Sequence, residues 1–363
     1  MTVPVETASA AAGAQDSRSV LRDAAAGGLR VLLPVLLALI VGGLALVLLG
    51  KNPIDYYAYV VERGLLTATG LEATVTRMAP LLLVAAGLIV AFRAGIWNLG
   101  ADGQFLLAAV VTAALAPALA GVMPGALMIV LCFAVAGAVG AAWSLVPALL
   151  KARYGVNEII TSLMMSFLGV SFANVLVKLA FHDPATTVPQ TATLPVADRL
   201  PRLFETTVHS GILIAVAAIV LVHLVMTRTA FGLKLQVVGA NPRAAIHAGL
   251  PVGRLTVATF ALSAGLIGLG GAVEILGVWG TVRADWNPGY GLLVVPLVFL
   301  ARLHGLWAIV LTLFFAALMI GGESASRRIG VPQHFVPVLV ALLLLFLALV
   351  EYLDQRRRAR TRG

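Results

Sequence analysis

Long apolar runs, separated by short polar stretches, recur along the chain and restrict what it can fold into. A helix needs ~20 predominantly apolar residues to cross ~30 Å of hydrocarbon, and most of the runs approach that length. We predict a membrane span at each run: 31–49, 78–92, 105–122, 125–150, 159–177, 210–227, 255–273, 288–301, 306–322 and 335–350. The short runs 78–92 and 288–301 are expected to be tilted, broken or central in the bundle. The sequence therefore predicts an all-α polytopic membrane protein with about ten transmembrane helices.

The composition agrees with a membrane protein and excludes an ordinary soluble domain. Hydrophobic residues make up 60% of the 363 residues and charged residues 11%, whereas a soluble domain carries roughly 25% charged residues. A net charge of +9 would suit a nucleic-acid-binding protein, but the distribution of the charge indicates membrane orientation instead. The single cysteine, Cys132, excludes an intramolecular disulfide and a cysteine-based metal cluster.

Lysine and arginine residues are spread unevenly over the polar stretches. With the N-terminus in the cytoplasm, roughly twice as many fall on the inner side as on the outer side, in agreement with the positive-inside rule. We therefore expect both termini and the loop 231–254 to be cytoplasmic. Residues 1–28 are predicted to be a disordered tail, and 29–353 to be the transmembrane domain. The basic tail 354–363 is interpreted as a membrane-proximal anchor rather than a nucleic-acid arm.

A short helix is predicted within the loop 231–254. Asn241 can cap it, Pro242 is tolerated at the first helical position, and Gly249 can take the left-handed conformation in which many helices end. The helix has about seven residues, well below the roughly 12–15 at which an isolated helix persists in water. Its side chains are small enough for close approach of another surface: Ala244, Ala245, Ile246 and Ala248. It is either an ordinary membrane-surface helix or a docking helix for a soluble partner.

Two further polar segments interrupt the apolar runs. Residues 93–104 carry three glycines and form either a tight turn with an Arg93–Asp102 contact or an irregular backbone that lines a polar pathway. Residues 151–165 place four polar side chains on one helical face: Asn157, Glu158, Thr161 and Ser162. Such a stripe can bind a solute or bond to a neighbouring helix, and the geometry alone leaves both readings open.

Sequence motifs for energy conversion or catalysis are missing. The pattern G-x-x-x-x-G-K followed by Ser or Thr does not occur, and the one Gly-Lys pair, Gly50-Lys51, precedes an asparagine. Neither H-E-x-x-H nor G-x-S-x-G occurs, so no catalytic residue, metal ligand or bound cofactor is predicted. Glu158 begins one predicted span and Glu274 ends another. Neither is central, which disfavours an ion-coupled transporter.

Several of these segments resemble a known family: the permease subunits of bacterial ABC importers, in the simple-sugar/nucleoside branch of the branched-chain-type permease superfamily. The nucleoside permeases are the nearest match. The resemblance covers about residues 30–353 and is carried by RAGIWNLGADGQ, KARYGVNEIITSLMM and VVGANPRAAIHAGL, with support from GYGLLVVPLVFLARLHGLWAIV and GGESASRRIGVP. It implies a type II ABC importer-like bundle with a cytoplasmic coupling helix.

The resemblance implies a subunit of the bacterial inner membrane with no ATPase of its own. ATP would be bound by a cytoplasmic ABC ATPase subunit, and a periplasmic or lipid-anchored binding protein would deliver the solute. A second permease, related or identical, would complete the transporter within the membrane lipid, and no nucleic acid is involved. The family's coupling loop falls here on Gly239, Ala240, Asn241, Pro242, Ala244, Ala245 and Gly249. The family often has Glu where this chain has Asp102, which shortens the reach of that carboxylate.

The function implied by the resemblance is ATP-driven import of a nucleoside-like solute, with the short helix moved by the partner ATPase. The polar residues expected to line the pathway are Asn98, Gln104, Asn157, Glu158 and Thr161. The alternatives are a monosaccharide permease of the same superfamily, a proton- or ion-coupled transporter that needs no ATPase, and an intramembrane enzyme.

Overall fold

The computed structural model of the chain describes residues 32–332 and 334–360. The predicted tail 1–28 and the last three residues of the basic tail 354–363 lie outside that part of the chain. Within it the structure is helical, with isolated β-bridges and no strand. The chain forms two compact units, one of residues 58–325 and one that includes residues 32–57 and 326–360.

The helices follow the apolar runs in chain order: α1 Leu32–Leu48, α2 Pro53–Val61, α3 Ala68–Arg93, α4 Ala101–Leu119, α5 Gly125–Trp143, α6 Leu145–Tyr154, α7 Glu158–Val175, α8 Gly211–Arg228, α9 Ala230–Ala240, α10 Pro242–His247, α11 Val252–Glu274, α12 Tyr290–Leu300, α13 Gly305–Ile329 and α14 Phe335–Arg360. Three of them continue into a single wider turn after α2, α7 and α11: Glu62–Leu66, Leu176–Ala180 and Ile275–Trp279.

Eight helical stretches of the described residues are long and apolar enough to cross a membrane. The two remaining predicted spans coincide with the shorter apolar helices α1 and α12. The predicted fold class, an all-α polytopic membrane protein, is confirmed. A third short apolar helix, α9, runs from Ala230 into the loop 231–254, where only the helix that follows it was predicted.

Several of the predicted spans are shorter than the helices that form. α3 begins ten residues before position 78, at Ala68, and has 26 residues, so the expectation of a short span there is wrong. The helix of α11 continues through its wider turn to Trp279, and α13 continues to Ile329. Within these extensions lie charged residues that include Arg77, Glu274 and Glu323.

α3 is the central helix of the unit formed by residues 58–325. A helix that is apolar around its whole circumference is normally buried, and 83% of the most apolar 18-residue window of α3 is buried. Helices α8, α11 and α12 pack against it. Of the three alternatives for the run 78–92, tilted, broken or central in the bundle, the structure has the central one.

Small residues bring α11 close to α4 and α5. The backbone of Gly140 in α5 faces Ala264 and Gly268 in α11, and Gly271 in α11 faces the backbone of Phe105 in α4. A larger residue at any of these glycines would overlap the facing helix. Apolar side chains gain nothing by leaving lipid for another helix, so close backbone packing of this kind is a main source of helix association in membranes.

In the second unit, the start of α2 is tied to α1 and α14. The Tyr57 hydroxyl donates to the Leu39 carbonyl oxygen at 2.8 Å. The neighbouring Tyr56 ring packs edge-on against Phe335, with ring centroids 5.2 Å apart. Edge-on packing is a favoured geometry for aromatic pairs, so these contacts hold the three helices of this unit together.

Candidate functional site

The predicted short helix forms as α10, between Asn241 and Gly249. The Asn241 side-chain oxygen accepts a hydrogen bond from the Ala244 backbone N at 3.0 Å, and Pro242 takes the first helical position. Gly249 has a φ of +76°, the left-handed conformation that suits glycine after a helix end. A cap of this kind contributes ~1 kcal/mol, which matters for a helix that is too short to persist alone.

α10 has one buried side and one exposed side. Ala245 is fully buried, and α9 and α11 pack against the helix. Ala244, Ile246 and Ala248 are exposed, with 60% of the Ile246 side chain accessible. Their small size suggested that all four suit close approach of a partner, but in the structure they do not share one face. Ala245 supports α10 from inside the protein, and the other three form the surface that a partner can reach.

The last turn of α9 lies directly on the turn that follows α3. A Cβ atom at Gly239 would lie 2.7 Å from the Arg93 carbonyl oxygen, and a Cβ atom at Gly95 would lie 2.9 Å from the Gly239 Cα. Gly95 also has a φ of +67°, which disfavours any other residue there. This crossing, which we call the Gly95–Gly239 contact, joins the element that leads into α10 to the end of the central helix.

Arg93, the last residue of α3, ties three helix ends together. Its Nε donates to the Leu303 carbonyl oxygen at 3.0 Å, and its Nη1 donates to the Met226 carbonyl oxygen at 3.4 Å. The same Met226 oxygen accepts from Gln236 Nε2 of α9 at 2.7 Å. Carbonyl groups in the last turn of a helix lack partners within the helix, so Arg93 and Gln236 complete the end of α8 at Met226. Arg93 also binds the turn that follows α12, and the two side chains link these elements to α3 and α9.

The Arg93–Asp102 contact suggested by the sequence is wrong. Asp102 Oδ1 instead accepts a hydrogen bond from the Gly291 backbone N at 2.7 Å, which joins the start of α4 to the start of α12. Arg93 is held by the carbonyl oxygens of α8 and of the turn after α12. The two charged groups therefore serve different helix junctions, and among the described residues no ion pair between them closes the turn 94–100.

A groove of about 400 Å³ opens at this junction, lined by Phe92, Arg93, Gly95, Gln236, Gly239, Ala240, Arg302 and Leu303. Arg302 and Leu303 have φ values of +52° and +57°, which residues other than glycine seldom adopt. Strained backbone of this kind persists only where its neighbours hold it, and it is often found at functional sites. The groove places two of the residues matched to the coupling loop beside the end of α3.

The stretch 94–100 is non-helical backbone, and four of its seven residues are buried. Asn98 is fully buried, and its Nδ2 donates to Ser263 Oγ at 3.0 Å, near the middle of the helix that runs from Val252 to Trp279. Asn98 also forms a reciprocal amide pair with Gln104, at 3.1 and 3.0 Å. Non-helical backbone at this depth is tolerated where protein covers it. These two predicted pathway residues use their amide groups on each other.

The other three predicted pathway residues lie at the start of α7. The Asn157 side chain caps the helix by accepting from Ile159 N at 2.9 Å, and the Thr161 hydroxyl donates to the Asn157 carbonyl oxygen at 3.1 Å. Glu158 pairs with Lys151 Nζ at 2.7 Å. Each of these groups is used close to the helix start, where free N–H groups and the helix dipole favour capping side chains and carboxylates.

Ser162, on the same face of α7, is the residue of that stripe that reaches the 94–100 stretch. Its hydroxyl oxygen accepts from Leu99 N at 3.1 Å, and the hydroxyl donates to the Trp97 carbonyl oxygen at 3.2 Å. The structure therefore divides the five predicted pathway residues between two places. Asn98 and Gln104 pair inside the bundle, and the other three lie at the start of α7.

A cluster of polar side chains that was not predicted from the sequence lies nearer to the start of α3. Arg77 Nη1 donates to the Tyr290 hydroxyl oxygen at 2.9 Å, and the Tyr290 hydroxyl donates to Glu274 Oε1 at 3.3 Å. The indole nitrogen of Trp279 donates to the same carboxylate oxygen at 3.0 Å. On its other side, Arg77 pairs with Glu323 at 3.5 Å. We call these five residues the Glu274 cluster.

The Glu274 cluster joins α3, α11, α12 and α13 inside the membrane bundle. Glu274 is only 2% exposed, and ionisable groups so placed are costly and usually mark a functional site. A signal for the cluster was present in the sequence. Arg77 and Glu274 each border an apolar run directly, and they were missed because each predicted span was ended at the charge.

Two loops, 181–210 and 280–289, pair with each other at the end of the bundle nearest to the Glu274 cluster. Thr191 N donates to the Val282 carbonyl oxygen at 3.0 Å, and Leu194 N donates to the Gly280 carbonyl oxygen at 2.8 Å. Arg199 adds a further link by donating from Nη1 to the Val278 carbonyl oxygen at 2.8 Å. Burial, together with a neighbouring arginine, lowers the pKa of the Arg199 guanidinium, which nevertheless remains charged near neutral pH.

His209 is buried just before α8 begins. Its Nδ1 accepts a hydrogen bond from Gly211 N at 3.1 Å, which assigns the ring proton to Nε2 when the ring is neutral. Burial lowers the pKa of His209 to about 4. The ring is therefore neutral at pH 7 and packs against the backbone of Gly277, at the end of the helix that carries Glu274.

The bundle has apolar helices around a buried central helix, polar groups inside it and a capped short helix exposed at one end. This architecture is that of a polytopic membrane protein of the permease class. Residues 70–349 match the family described as branched-chain amino acid transport system / permease component. The chain belongs to this family and is a multi-pass ABC transporter permease.

Several characterised or named relatives align with most of the chain. A glucose ABC transporter permease of Haloferax volcanii is 35% identical over 338 residues, which cover 90% of this chain and 88% of the relative. A guanosine ABC transporter permease of Bacillus subtilis is 26% identical over 87% of this chain and 92% of its own length. A nucleoside ABC transporter permease of Lactococcus lactis is 25% identical over 87% and 89%. No solved structure gives a significant match.

Proposed function

We propose that the chain is the membrane subunit of an ATP-driven importer and that α10 receives the motion of a cytoplasmic ATPase. The Gly95–Gly239 contact is the observation that carries this proposal, because it is a rigid backbone link between the α9–α10 segment and the central helix. The family supports it, since the chain is a permease of the ABC class. The chain carries no nucleotide-binding motif of its own, so ATP is bound by the partner.

The proposed transmission has three steps. ATP-driven closure of the partner displaces the exposed side of α10, around Ile246. The displacement passes through α9 to the Gly95–Gly239 contact and, through Gln236, to the carbonyl of Met226 that Arg93 also holds. The end of α3 then moves together with the ends of α8 and α12, and the bundle changes between outward-open and inward-open states.

The remaining partners follow from the family and its relatives. A second permease subunit completes the transporter, and it is a related chain or a copy of this one. Bacillus subtilis has two guanosine permeases that both resemble this chain, which favours a related partner. A periplasmic or lipid-anchored binding protein delivers the solute. The protein lies in the bacterial inner membrane with both termini and α10 in the cytoplasm, in agreement with its lysine and arginine distribution.

The imported solute is a small sugar-bearing molecule, either a nucleoside or a monosaccharide. Motifs in the sequence favour a nucleoside. The 35% identity to a glucose permease, against 26% and 25% to guanosine and nucleoside permeases, favours a monosaccharide. Uptake of a labelled solute is measured in the presence of unlabelled glucose, guanosine or leucine. The competitor that lowers uptake distinguishes a monosaccharide and a nucleoside from the branched-chain amino acids named in the family description.

The docking role of α10 is tested by Ile246→Glu, which places a charge on its exposed side without disturbing the buried Ala245. We expect that the ATPase no longer co-purifies with the Ile246→Glu variant and that this variant supports no uptake. Val188→Glu is the matched control, because it makes the same change at an exposed apolar residue of the loop 181–210. Retention of the ATPase and full uptake by Ile246→Glu would contradict the docking role.

A further inference from the structure

The groove at the end of α3, which we call the Arg93–Arg302 groove, carries positive charge that the protein does not balance. Arg93 and Arg302 both line it, and Gln236 adds an amide group. Arg228, the last residue of α8, belongs to the same junction, because Arg228 and Arg93 both act electrostatically on the ring of His223. In the part of the chain that the structure describes, none of these three arginines pairs with a carboxylate.

The carboxylates of the helices that meet here lie far from the groove. Glu72 is near the start of α3, roughly 30 Å from Arg93 at ~1.5 Å per residue. Asp102 bonds to Gly291 N at the start of α12, whereas Arg302 follows the end of that helix. The described helices α8 and α9 contain no acidic residue. The groove therefore has a positive potential that attracts an anion.

Arg302 occupies a position that the fold alone does not explain. Its side chain is exposed and bonds to no other described residue. Its φ of +52° is unfavourable for any residue with a side chain, whereas glycine adopts it freely. The next residue, Leu303, has the same conformation, and Arg93 Nε binds its carbonyl oxygen. A strained turn that holds an unpaired arginine beside a second arginine is typical of a ligand clamp.

Arg93 is the fixed side of the groove. Its Nε and Nη1 donate to the carbonyl oxygens of Leu303 and Met226, which hold the guanidinium in place. These acceptors are neutral, so they leave the charge of Arg93 unbalanced. Its Nη2 forms no hydrogen bond with another described residue. An arginine that is already held in position loses little further freedom when it binds a ligand.

Two arginines on separate elements favour a phosphate group as the ligand. The planar guanidinium matches the oxygens of a phosphate, and a phosphate has enough oxygens to bind two arginines at once. A volume of about 400 Å³ suits a ligand of this size. The groove lies at the end of a membrane-spanning helix, where basic pockets bind the headgroups of anionic lipids. The phosphate can therefore come from a lipid headgroup or from the aqueous phase.

We propose that the Arg93–Arg302 groove is a binding site for a phosphate group, which bridges the two arginines. This site is additional to the docking surface of α10 and to any site for the imported solute. The bound phosphate joins the turn after α12 to the end of α3, beside the Gly95–Gly239 contact. It thereby stiffens the junction that connects α10 to the central helix.

The test compares two sources of phosphate for the purified full-length chain in lipid nanodiscs, with the thermal midpoint as the readout. One series uses phosphatidylcholine with a rising fraction of phosphatidylglycerol. The other uses phosphatidylcholine alone and adds inorganic phosphate at constant ionic strength. We expect a saturable rise of the midpoint, in the first series for a lipid headgroup and in the second for free phosphate. Acetate at the same ionic strength should give no such rise.

The variants assign the effect to the groove. Arg302→Gln should raise the amount of phosphate source needed for half of the rise about fivefold, which is the effect of one arginine near a membrane surface. Arg153→Gln is the matched control, because it removes an exposed arginine at the end of α6, outside the groove. It should respond like the wild type.

Arg302→Gly keeps the test decisive where Arg302→Gln folds poorly. It removes the charge and also relieves the left-handed backbone. Without phosphate its midpoint should equal or exceed that of the wild type, and its response to phosphate should be as weak as that of Arg302→Gln.

Three outcomes would overturn the inference. Neither source of phosphate raises the wild-type midpoint; both Arg302 variants respond as strongly as the wild type; or Arg153→Gln loses the response to the same extent, which would assign the effect to the overall positive charge. An equal rise with acetate would contradict the choice of phosphate. Neither uptake nor ATPase binding enters these measurements, so the outcome is independent of the proposed function.

Discussion

The backbones of Gly95 and Gly239 touch, so that a side chain on either residue would enter the other's main chain. One glycine follows the central helix α3, and the other lies in the last turn of α9, two residues before the cap of α10. Because protein interiors transmit displacement through close packing, this crossing connects the exposed short helix to the middle of the bundle. Two expectations concern this contact and the short helix, and two concern packing elsewhere in the bundle.

Gly239→Ala should impair transport. Its Cβ atom would lie 2.7 Å from the Arg93 carbonyl oxygen, and relief of an overlap of this kind costs about 1–3 kcal/mol. We expect α9 to move away from α3, so that the ATPase still binds but its activity no longer drives uptake. Uptake and ATPase activity are measured on the same preparation.

Gly253→Ala is the control for this change. Gly253 lies at the start of α11, and its Cβ atom would meet Ala152 at 3.7 Å, an ordinary contact. It should transport like the wild type. Full uptake by Gly239→Ala would show that the Gly95–Gly239 contact does not transmit motion.

Asn241→Ala should weaken α10. The change removes the hydrogen bond to Ala244 N and costs about 1 kcal/mol of helix stability, which is severe for a helix with so few internal hydrogen bonds. We expect lower affinity for the ATPase, measured by titration of the reconstituted permease. Asn241→Ser keeps a capping oxygen and should restore most of the affinity, whereas equal loss in both variants would argue against a capping role.

Acid should destabilise the protein through His209. Its folded pKa of about 4 lies below the ordinary value of 6.5, so the unfolded chain binds a proton first as the pH falls. The stability that depends on neutral His209 is complete above pH 6.5 and is lost progressively toward pH 4. At pH 5 the loss amounts to about 2 kcal/mol relative to pH 8.

The measurement is the thermal midpoint in detergent at pH 8 and pH 5. His209→Asn retains an acceptor for Gly211 N but cannot be protonated, so its midpoint should fall less between the two pH values. His182→Asn removes an exposed imidazole and should behave like the wild type. An unchanged pH response of His209→Asn would assign the acid sensitivity to other groups.

Gly140→Leu should destabilise the bundle. The new side chain would overlap the backbone of Ala264 and Gly268 in α11, and overpacking of this kind costs about 1–3 kcal/mol. Gly125→Leu, at the exposed start of the same helix, meets no atom within 4 Å of its Cβ. We expect a lower thermal midpoint for the first variant only, and equal midpoints would show that α5 and α11 do not depend on this contact.

The sequence predicted the position of each apolar run and the short helix at Asn241–Gly249. Periodicity and capping are local, so a single sequence carries them. It did not predict where several helices end. Arg77 and Glu274 were taken as span boundaries because a charge is unfavourable in lipid, yet both are tolerated inside helices because partners from α12 and α13 reach them.

The same limitation applies to the sites. The amide pair of Asn98 and Gln104 and the Arg93 bonds to α8 and α12 depend on contacts between residues far apart in the chain. Sequence spacing identified Asn98, Gln104 and Arg93 as unusual but could not supply their partners. Ala245 illustrates the reverse case, since its small size suggested a docking surface and the structure buries it against the bundle.

The most direct measurement of the central claim is solute uptake into liposomes that contain this chain and its second permease, with and without the ATPase subunit. Binding protein and labelled solute are placed outside, and ATP is placed inside. We expect accumulation against the gradient only when the ATPase and hydrolysable ATP are both present. Accumulation by the membrane subunits alone, driven by a proton or sodium gradient, would contradict the account.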